Sequence, residues 1–228
     1  MNPKQAAAER GAELVQSGMV LGLGSGTTST LMVQSIGRKL REGTLQNVIG
    51  VPSSSGIAAV ARESGVPLTT LDAHPRLDLN LDGADEVDPN LGLIKGLGGA
   101  LLWEKIVATA SQQVVILADD TKLVARLGTK VPLPVEVVPF GWKTHLAFVE
   151  SLGGKPILRT EPDGRPFVTD EGNYILHCRF EGGIPDPADL EARLLGRAGI
   201  VGTGLFLGVA NQVIIGRADG VEVLTRKA

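Results

Sequence analysis

The side chains best suited to chemistry occur close together in one stretch of the sequence. Asp82 and Asp85 follow a run in which leucine alternates with polar residues. Lys95 comes next, ahead of a loop with glycines at positions 96, 98 and 99, and Glu104 lies beyond that loop. Two carboxylates, an ammonium group, a loop without bulky side chains and a third carboxylate could together bind a polar ligand and move its protons.

The elements that must position these side chains can be predicted from periodicity. Leucines at 77, 79 and 81 alternate with polar residues, which predicts a strand with one buried face that ends at Gly83. From Leu101 to Ala110, apolar residues recur at spacings of three and four, which predicts a helix. Asp82 and Asp85 therefore lie at the carboxyl end of a strand, and Glu104 lies in the first turns of a helix.

Four acidic residues, Asp82, Asp85, Glu86 and Asp88, could instead form a cation site. Their spacing does not fit a calcium loop, which needs ligands at alternate positions and a glycine at the sixth. The sequence Asp88-Pro89-Asn90 is more typical of a turn. We therefore predict no metal site and interpret Asp82 and Asp85 as hydrogen-bond acceptors for a polyol.

Lys95 and Glu104 each have an ordinary structural alternative. Lys95 could be a solvated surface lysine, although its place between an apolar run and the glycine loop favours a functional role. Glu104 could be an exposed helix residue that the helix dipole stabilises. The residues alone do not decide between this role and a catalytic one for Glu104.

The segment from Gly22 to Ser29 is rich in glycine and hydroxyl groups and lies between a predicted strand and a predicted helix. Backbone N–H groups at such a helix start favour a phosphate, and we assign this role to Ser25, Gly26, Thr27 and Thr28. The segment lacks the Gly-Lys-Ser/Thr of a Walker A loop and the spacing of a dinucleotide fingerprint. A capped tight turn is the alternative, and Ser53–Ser55 fit either a phosphate site or a serine N-cap.

Through residue 130, predicted strands alternate with predicted helices. The first predicted helix starts at Asn2-Pro3 and continues through Gln16. The strands are predicted at residues 19–23, 48–51, 66–71, 77–83 and 114–118. This alternation predicts an α/β fold with a parallel, Rossmann-like sheet. Ligands of such sheets bind at the carboxyl ends of the strands, where the polar clusters occur.

From residue 131 the pattern changes to strand, helix, strand, strand, helix, strand. The predicted ranges are 134–138, 142–152, 155–159, 174–180, 187–195 and 200–206. This order predicts an inserted ferredoxin-like α+β domain at 131–206. A closing hairpin, 213–216 with 221–224, should return to the first sheet. We predict that residues 1–130 and 207–228 form the α/β catalytic domain.

Composition excludes several classes of protein. The 228 residues carry a net charge of −3 without a basic block, so no nucleic-acid partner is expected. No apolar run reaches spanning length and the start has no signal core, so we expect a cytoplasmic protein that does not enter a membrane. Cys178 is the single cysteine and the three histidines are scattered, so neither disulfides nor a zinc site is predicted.

At the level of motifs, the chain resembles the ribose-5-phosphate isomerase family of type A. The matching segments, in family order and covering nearly the whole chain, are Ser25–Thr28, Ser53–Ser55, Asp82–Glu86, Lys95–Ala100, Glu104–Ile106, Asp119–Lys122 and Leu133–Val137. One departure is Leu97, where some members have another glycine.

The resemblance implies interconversion of ribose 5-phosphate and ribulose 5-phosphate without cofactor, usually in a homodimer or larger homo-oligomer. Such an aldose–ketose isomerisation proceeds through an enediolate. Glu104 is similar to the catalytic base, and Asp82, Asp85 and Lys95 are similar to its polar partners. The residues implied to bind the sugar phosphate are Ser25, Gly26, Thr27, Thr28, Asp82, Gly83, Ala84, Asp85, Lys95, Gly96, Leu97, Gly98 and Lys122.

Two other classes of protein could use a similar fold. A regulatory module that binds sugar phosphates would keep the phosphate loop without a base, and would usually carry a DNA-binding element, which the sequence does not show. A CoA transferase would use a glutamate as its nucleophile, and turnover of acyl-CoA would identify it.

Overall fold

The computed structural model describes residues 2–226. Its strands are β1 Val20–Leu23, β2 Ile49–Pro52, β3 Leu77–Gly83, β4 Glu86–Val87, β5 Leu93–Ile94, β6 Ser111–Asp119, β7 Leu133–Val137, β8 Gly154–Leu158, β9 Tyr174–Phe180, β10 Ile200–Thr203, β11 Leu205–Phe206, β12 Gln212–Arg217 and β13 Gly220–Thr225. Its helices are α1 Pro3–Ala12, α2 Thr27–Arg41, α3 Ser55–Ser64, α4 Leu101–Thr109, α5 Thr144–Ser151 and α6 Pro187–Leu195, with a 3₁₀ turn at Asp120–Lys122. None of these helices is long and apolar enough to cross a bilayer.

The chain divides into two compact units. Within the described residues, the first consists of 2–84, 103–123 and 208–226, and the second of 85–102 and 124–207. The six-stranded sheet lies in the first unit, and the two smaller sheets lie in the second. The domain boundaries expected from sequence, near residues 130 and 207, stay a prediction.

The first unit is built on a sheet with the order β13-β12-β6-β3-β1-β2. Its five strands from β12 to β2 are parallel, and β13 pairs antiparallel with β12 at the edge. The predicted parallel α/β sheet and the return of the closing hairpin to it are both confirmed. The start of α1 is confirmed too, because Asn2 Oδ1 accepts from the Lys4 N–H and Pro3 occupies the first helical position.

The second unit contains the predicted ferredoxin-like fold. Its four-stranded antiparallel sheet has the order β10-β7-β9-β8. Numbered within this sheet the order is 4-1-3-2, which is the order that a β-α-β-β-α-β chain gives when its two halves interleave. Alternate residues of β7 and β9, such as Val135 and Leu176, are fully buried and pack in one core with Leu190 and Leu194 of α6. The predicted fold class is therefore confirmed.

One predicted strand, 200–206, is two strands. β10 pairs with β7, whereas β11 joins β4 and β5 in a separate three-stranded antiparallel sheet. The break occurs at Gly204, whose N–H donates to the Pro134 carbonyl and whose carbonyl accepts from the Lys95 N–H. The sequence pattern did not reveal this change of partner, because periodicity does not identify which sheet a strand joins.

The strand predicted at 66–71 is wrong. This segment makes a single parallel bridge, between Gly50 and Leu68. Pro67 has no N–H to donate and can only accept, as it does from the Gly50 N–H at 2.9 Å. The first helix is also shorter than predicted, since it ends at Ala12 and not at Gln16.

Cys178 gives a direct test of this packing. Its side chain is fully buried in the core of the second unit, and burial raises the pKa of the thiol to about 12. Because the thiolate is the reactive form, we expect no reaction with an aromatic disulfide reagent at pH 8 in the native state. Release of the coloured thiolate should begin only in unfolding concentrations of urea. Rapid stoichiometric release without denaturant would contradict the core described here.

Candidate active site

The carboxyl ends of three neighbouring strands lie on the same side of the sheet in the first unit, with β3 ending two residues beyond β1 and β6 ending two residues beyond β3. Leu23 of β1 pairs with Leu81 of β3, and Gly83 of β3 pairs with Leu117 of β6. The residues that follow these strands therefore emerge at one edge of the sheet. They include the glycine- and hydroxyl-rich segment after β1, Asp82 at the end of β3, and Lys122 beyond β6.

The Asp82 carboxylate is hydrogen-bonded to the segment that follows β1. Its Oδ1 accepts from the Ser25 N–H at 3.2 Å and from the Gly83 N–H at 2.7 Å. The side chain is only 1% exposed. A carboxylate that accepts from two backbone amides has a fixed direction, so Asp82 is well placed to orient a hydroxyl group.

Gly24 makes this arrangement possible. A Cβ at Gly24 would overlap both the carboxylate and the Cα of Asp82. Its N–H also donates to the Leu81 carbonyl at 2.9 Å, which holds the two strand ends together. Gly24 is therefore needed for the close contact between β1 and β3.

The start of α2 has the features of an anion site. Gly26 is the N-cap residue with φ of 99°, no side chain caps the helix, and no acidic residue occurs in the first turn. The first N–H groups of a helix have no partners within it, and the helix dipole favours an anion there. Thr27 and Thr28 open this helix, so the segment predicted to bind phosphate lies where a phosphate would be stabilised.

The serines at 53–55 were predicted to form either a phosphate site or a helix N-cap. Ser54 is the N-cap of α3, with its Oγ accepting from the Ile57 N–H at 3.1 Å, so the serine N-cap prediction is confirmed. The Ser25 hydroxyl is 2.9 Å from Ser53 Oγ and 2.7 Å from Ser54 Oγ. The serine cluster therefore also supports the segment after β1.

Lys4 is a cation that sequence analysis missed. It lies in the first turn of α1, and its Nζ is 3.4 Å from Thr27 Oγ1 at the start of α2. A lysine in an alanine-rich helix gives no signal of its own. Only the packing of α1 beside α2 brings it to the anion site, and that packing follows from the fold.

Glu104 belongs to the part of α4 that lies in the first unit. Three residues later, and therefore on the same face, Val107 contacts β1, where a Cβ at Gly22 would be 2.6 Å from Val107 Cγ1. Because the end of α4 leads directly into the start of β6, its first turns lie towards the carboxyl edge of the sheet. Glu104 is 4% exposed, which excludes the alternative of a solvated helix residue.

In the second unit, Asp85 is joined to the glycine loop, which we define as residues 96–99. The Asp85 N–H donates to the Ile94 carbonyl at 2.8 Å, and its Oδ2 accepts from the Leu97 N–H at 3.1 Å. Asp85 therefore binds the loop by its side chain while its backbone extends the small sheet. Gly99 closes the loop by donating its N–H to the Gly96 carbonyl at 2.9 Å.

Lys95 precedes this loop and is 3% exposed, which excludes a solvated surface lysine. Its N–H donates to the Gly204 carbonyl at 2.9 Å, and its Nζ is 5.4 Å from the centroid of the Phe206 ring. A cation over an aromatic face is stabilised even where water is scarce. Lys95 was predicted from the sequence as a site residue. Its contact with Phe206 was not, because the two residues are more than 100 positions apart.

The other two of the four clustered acidic residues, Glu86 and Asp88, also accept hydrogen bonds from backbone N–H groups. Glu86 is fully buried and accepts from the N–H groups of Gly128, Lys130 and Val131 at 2.5–2.9 Å. Asp88 Oδ1 accepts from the N–H groups of Asn90 and Gly92 at 2.8 Å, so the predicted turn is confirmed. The predicted site residues therefore divide between the units, with Ser25–Ala84, Glu104 and Lys122 in the first and Asp85–Gly98 in the second.

A parallel sheet with carboxylates and an uncapped helix start at its carboxyl edge has the features of an enzyme site for a small anionic ligand. The sequence matches the family model of ribose 5-phosphate isomerase A, or phosphoriboisomerase A, over residues 49–220. Ribose-5-phosphate isomerase A of Roseiflexus castenholzii is 52% identical over 221 residues, covering 97% of this chain and 94% of that protein. The Synechococcus sp. (strain JA-3-3Ab) protein of the same name is 51% identical over 222 residues, with 97% and 96% covered.

Solved structures agree with these relatives. Ribose 5-phosphate isomerase from Plasmodium falciparum has a TM-score of 0.95 at 35% identity, with 99% of this chain and 98% of that chain covered. A D-ribose-5-phosphate isomerase in complex with phospho-erythronic acid has a TM-score of 0.95 at 37% identity, with 99% and 100% covered. The chain belongs to the ribose-5-phosphate isomerase A family and is an isomerase of ribose 5-phosphate. The regulatory module and the CoA transferase considered from sequence are thereby set aside.

The contact at Gly24 can be tested by substitution. Gly24→Ala adds a methyl group against the Asp82 backbone, which cannot rotate away, so the free energy of unfolding should fall by about 1–3 kcal/mol or more. Gly56→Ala is the matched control in the same unit. Gly56 lies in α3 with no atom nearer than 3.8 Å to the added carbon, so alanine should be neutral or stabilising by up to about 1 kcal/mol. Urea unfolding of both variants measures the difference, and equal midpoints would contradict the close approach.

Proposed function

We propose that this protein converts ribose 5-phosphate to ribulose 5-phosphate through an enediolate, with Glu104 as the general base. The observation that carries the proposal is a glutamate that is 4% exposed, in the first turns of α4. A buried carboxylate that forms no part of an apolar core costs stability, so a protein retains one where it has a function. Family membership supplies the reaction in which such a base is needed.

The reaction requires one base that can reach two adjacent carbons. The Glu104 carboxylate removes the proton from C2 of the open-chain aldose, and the electron pair forms the C1–C2 double bond as charge moves to O1. The resulting glutamic acid then returns a proton to C1 while a proton passes from O2 to O1. The product is the 2-ketose, and Glu104 is again a carboxylate.

The remaining predicted residues have separate roles in this proposal. The Lys95 ammonium group stabilises the negative charge of the enediolate, as a cation fixed before the reaction can. Asp82 and Asp85 accept hydrogen bonds from sugar hydroxyls and assist ring opening. Both carboxylates are already fixed in direction, since each accepts from a backbone N–H in its own unit. Substrate therefore encounters acceptors that need little reorganisation.

The phosphate group is proposed to bind at the start of α2. Support comes from the uncapped helix start after Gly26 and from the Lys4 ammonium group beside Thr27. Lys122, beyond the carboxyl end of β6, supplies a further cation in the same unit. Phospho-erythronic acid, the compound bound in one solved relative, combines a phosphate with a planar carboxylate. Such a carboxylate spreads negative charge over two oxygens, as an enediolate does.

Replacement of Glu104 tests the proposed base. Glu104→Gln keeps the shape of the side chain and removes its basicity, so kcat should fall by about 10² to 10⁴. KM should change far less, and the unfolding midpoint should be close to that of the wild type. In D₂O, NMR should show deuterium at C1 of the ketose on one face only, because one carboxylate serves one face of the enediolate.

Glu63→Gln is the matched control, since it removes an exposed helix carboxylate from the same unit. Its kcat should equal that of the wild type. A Glu104→Gln variant within a few-fold of the wild type, or deuterium on both faces of C1, would exclude Glu104 as the single base. Asp82 and Asp85 would then be the next carboxylates to replace.

The phosphate site gives a separate prediction. Free ribose should be a very poor substrate, because it lacks the group whose binding energy positions C1 and C2. Lys4→Met should raise KM for ribose 5-phosphate and weaken inhibition by inorganic phosphate. Lys155→Met, which removes an exposed lysine with a side chain 74% accessible, should do neither. Equal turnover of ribose and ribose 5-phosphate would contradict the phosphate assignment.

A further inference from the structure

Arg159 lies in the second unit, directly after β8, and none of the roles proposed above involves it. Its N–H donates to the Ile175 carbonyl at 2.8 Å, and its carbonyl accepts from the Phe167 N–H at 3.0 Å. These bonds hold Arg159 and Phe167 side by side on adjacent backbone segments. The guanidinium carbon is 3.5 Å from the centroid of the Phe167 ring, so the planar group lies flat on the ring.

The glycine loop lies directly against this stacked pair. A Cβ at Gly99 would be 2.5 Å from two atoms of the Phe167 ring and 2.8 Å from Arg159 Nη1. Gly99 also has φ of 99°, a conformation that other residues adopt with strain. The backbone of the loop therefore rests on the pair without an intervening side chain.

The position of the Arg159 guanidinium lowers the stability of the fold. Arg159 Nη1 is buried, and among the described residues 2–226 it makes no hydrogen bond. Burial lowers the pKa of Arg159, and the nearby Glu161 carboxylate only partly opposes this effect. Arginine nevertheless remains protonated in proteins. A buried donor without a partner destabilises the fold, so its retention here indicates a function other than stability.

A neighbouring histidine shows that Arg159 and Asp85 lie within electrostatic reach of one group. Burial lowers the pKa of His177 most, the Arg159 charge lowers it further, and the Asp85 carboxylate raises it. His177 therefore stays neutral at pH 7 and adds no charge beside the loop. Asp85 binds this loop at Leu97, while Arg159 contacts it at Gly99. The loop is thus held at two points, two residues apart.

We propose that Arg159 is a positioning residue for the isomerase reaction: stacked on Phe167, it fixes Gly99 and so holds the glycine loop in the conformation that follows Lys95. Its catalytic consequence rests on the proposed function, because the loop matters to turnover only if Lys95 and its neighbouring amides act on the enediolate. The bracing itself is a property of the second unit and can be measured without substrate. Both parts are therefore tested separately.

The test compares three variants with the wild type, and the kinetic measurements add a fourth, Arg159→Lys. Arg159→Met removes the planar cation, and Phe167→Leu removes the ring while keeping apolar bulk, which provides a second route should the first variant fold poorly. Arg165→Met is the matched control, since Arg165 belongs to the same segment but has a side chain 80% exposed and pairs with Asp163 at 2.7 Å. Thermal unfolding establishes that each variant is folded at the assay temperature.

Hydrogen exchange of the peptide that covers residues 95–101 measures the bracing. Arg159→Met and Phe167→Leu should each lower protection of this peptide by about tenfold, because the loop loses its packing partner but keeps its bond to Asp85. Arg165→Met should leave protection unchanged. Unchanged protection in both Arg159→Met and Phe167→Leu would overturn the bracing, whether or not the enzyme turns over ribose 5-phosphate.

Kinetics measure the catalytic consequence. In Arg159→Met, kcat should fall by about 10- to 100-fold, the effect of a small misplacement of reacting groups, with KM changed by less than about threefold. Arg159→Lys keeps the charge but not the planar stack, so it should recover little of the lost kcat. A raised KM at unchanged kcat, or full recovery by lysine, would overturn a positioning role. An inactive wild type would instead refute the proposed function, while loss of loop protection in the variants would still support the bracing.

Discussion

The contact between the end of β1 and the Asp82 carboxylate is the constraint on which the first unit depends. Gly24 approaches the Asp82 backbone so closely that no side chain fits, and the next residue, Ser25, donates its N–H to the same carboxylate. This contact fixes the point at which the chain leaves β1 and therefore where α2 begins. The direction of the helix start, and of any anion bound there, follows from one glycine and one aspartate.

In the second unit, the glycine loop is also held in one conformation by contacts with charged side chains. This loop has little side-chain bulk, so it cannot bury an apolar face of its own to hold a conformation. The Asp85 carboxylate binds the loop at Leu97, and the Phe167 ring with the Arg159 guanidinium packs against it at Gly99. In both units, then, glycine permits close approach and a charged side chain fixes the result.

Sequence patterns predicted the elements more completely than the contacts between them. Period-two alternation located β3, and the order of helices and strands predicted both the parallel sheet and the ferredoxin-like unit. The failures at 66–71 and at Gly204 have different causes. Pro67 has no N–H to donate, which is a local signal that opposes the strand favoured by the neighbouring hydrophobic residues. The change of partner at Gly204 depends on the whole fold, since hydrogen-bond partners in a sheet come from distant segments.

Only part of the candidate site could be predicted, because a sequence shows which residues are clustered locally and not which distant residues come into contact. Asp82, Asp85, Lys95 and Glu104 occur in one stretch where spacing and residue type are visible together. Lys4 and Arg159 are distant in sequence from the groups that they serve, and neither belongs to a recognisable local pattern. Only the fold brings Lys4 Nζ close to Thr27 Oγ1 and the Arg159 guanidinium onto the Phe167 ring.

Three charged residues of the candidate site, Asp82, Lys95 and Glu104, are buried and need compensating partners from other parts of the chain. Asp82 is 1% exposed, Lys95 is 3% exposed and Glu104 is 4% exposed. Removing a charged group from water costs several kcal/mol unless hydrogen bonds or opposite charges compensate it. The backbone amides at Ser25 and Gly83 and the Phe206 ring provide such compensation for Asp82 and Lys95. Because these partners are themselves fixed by the strands, the fold, and not the side chains alone, holds the charged groups in place.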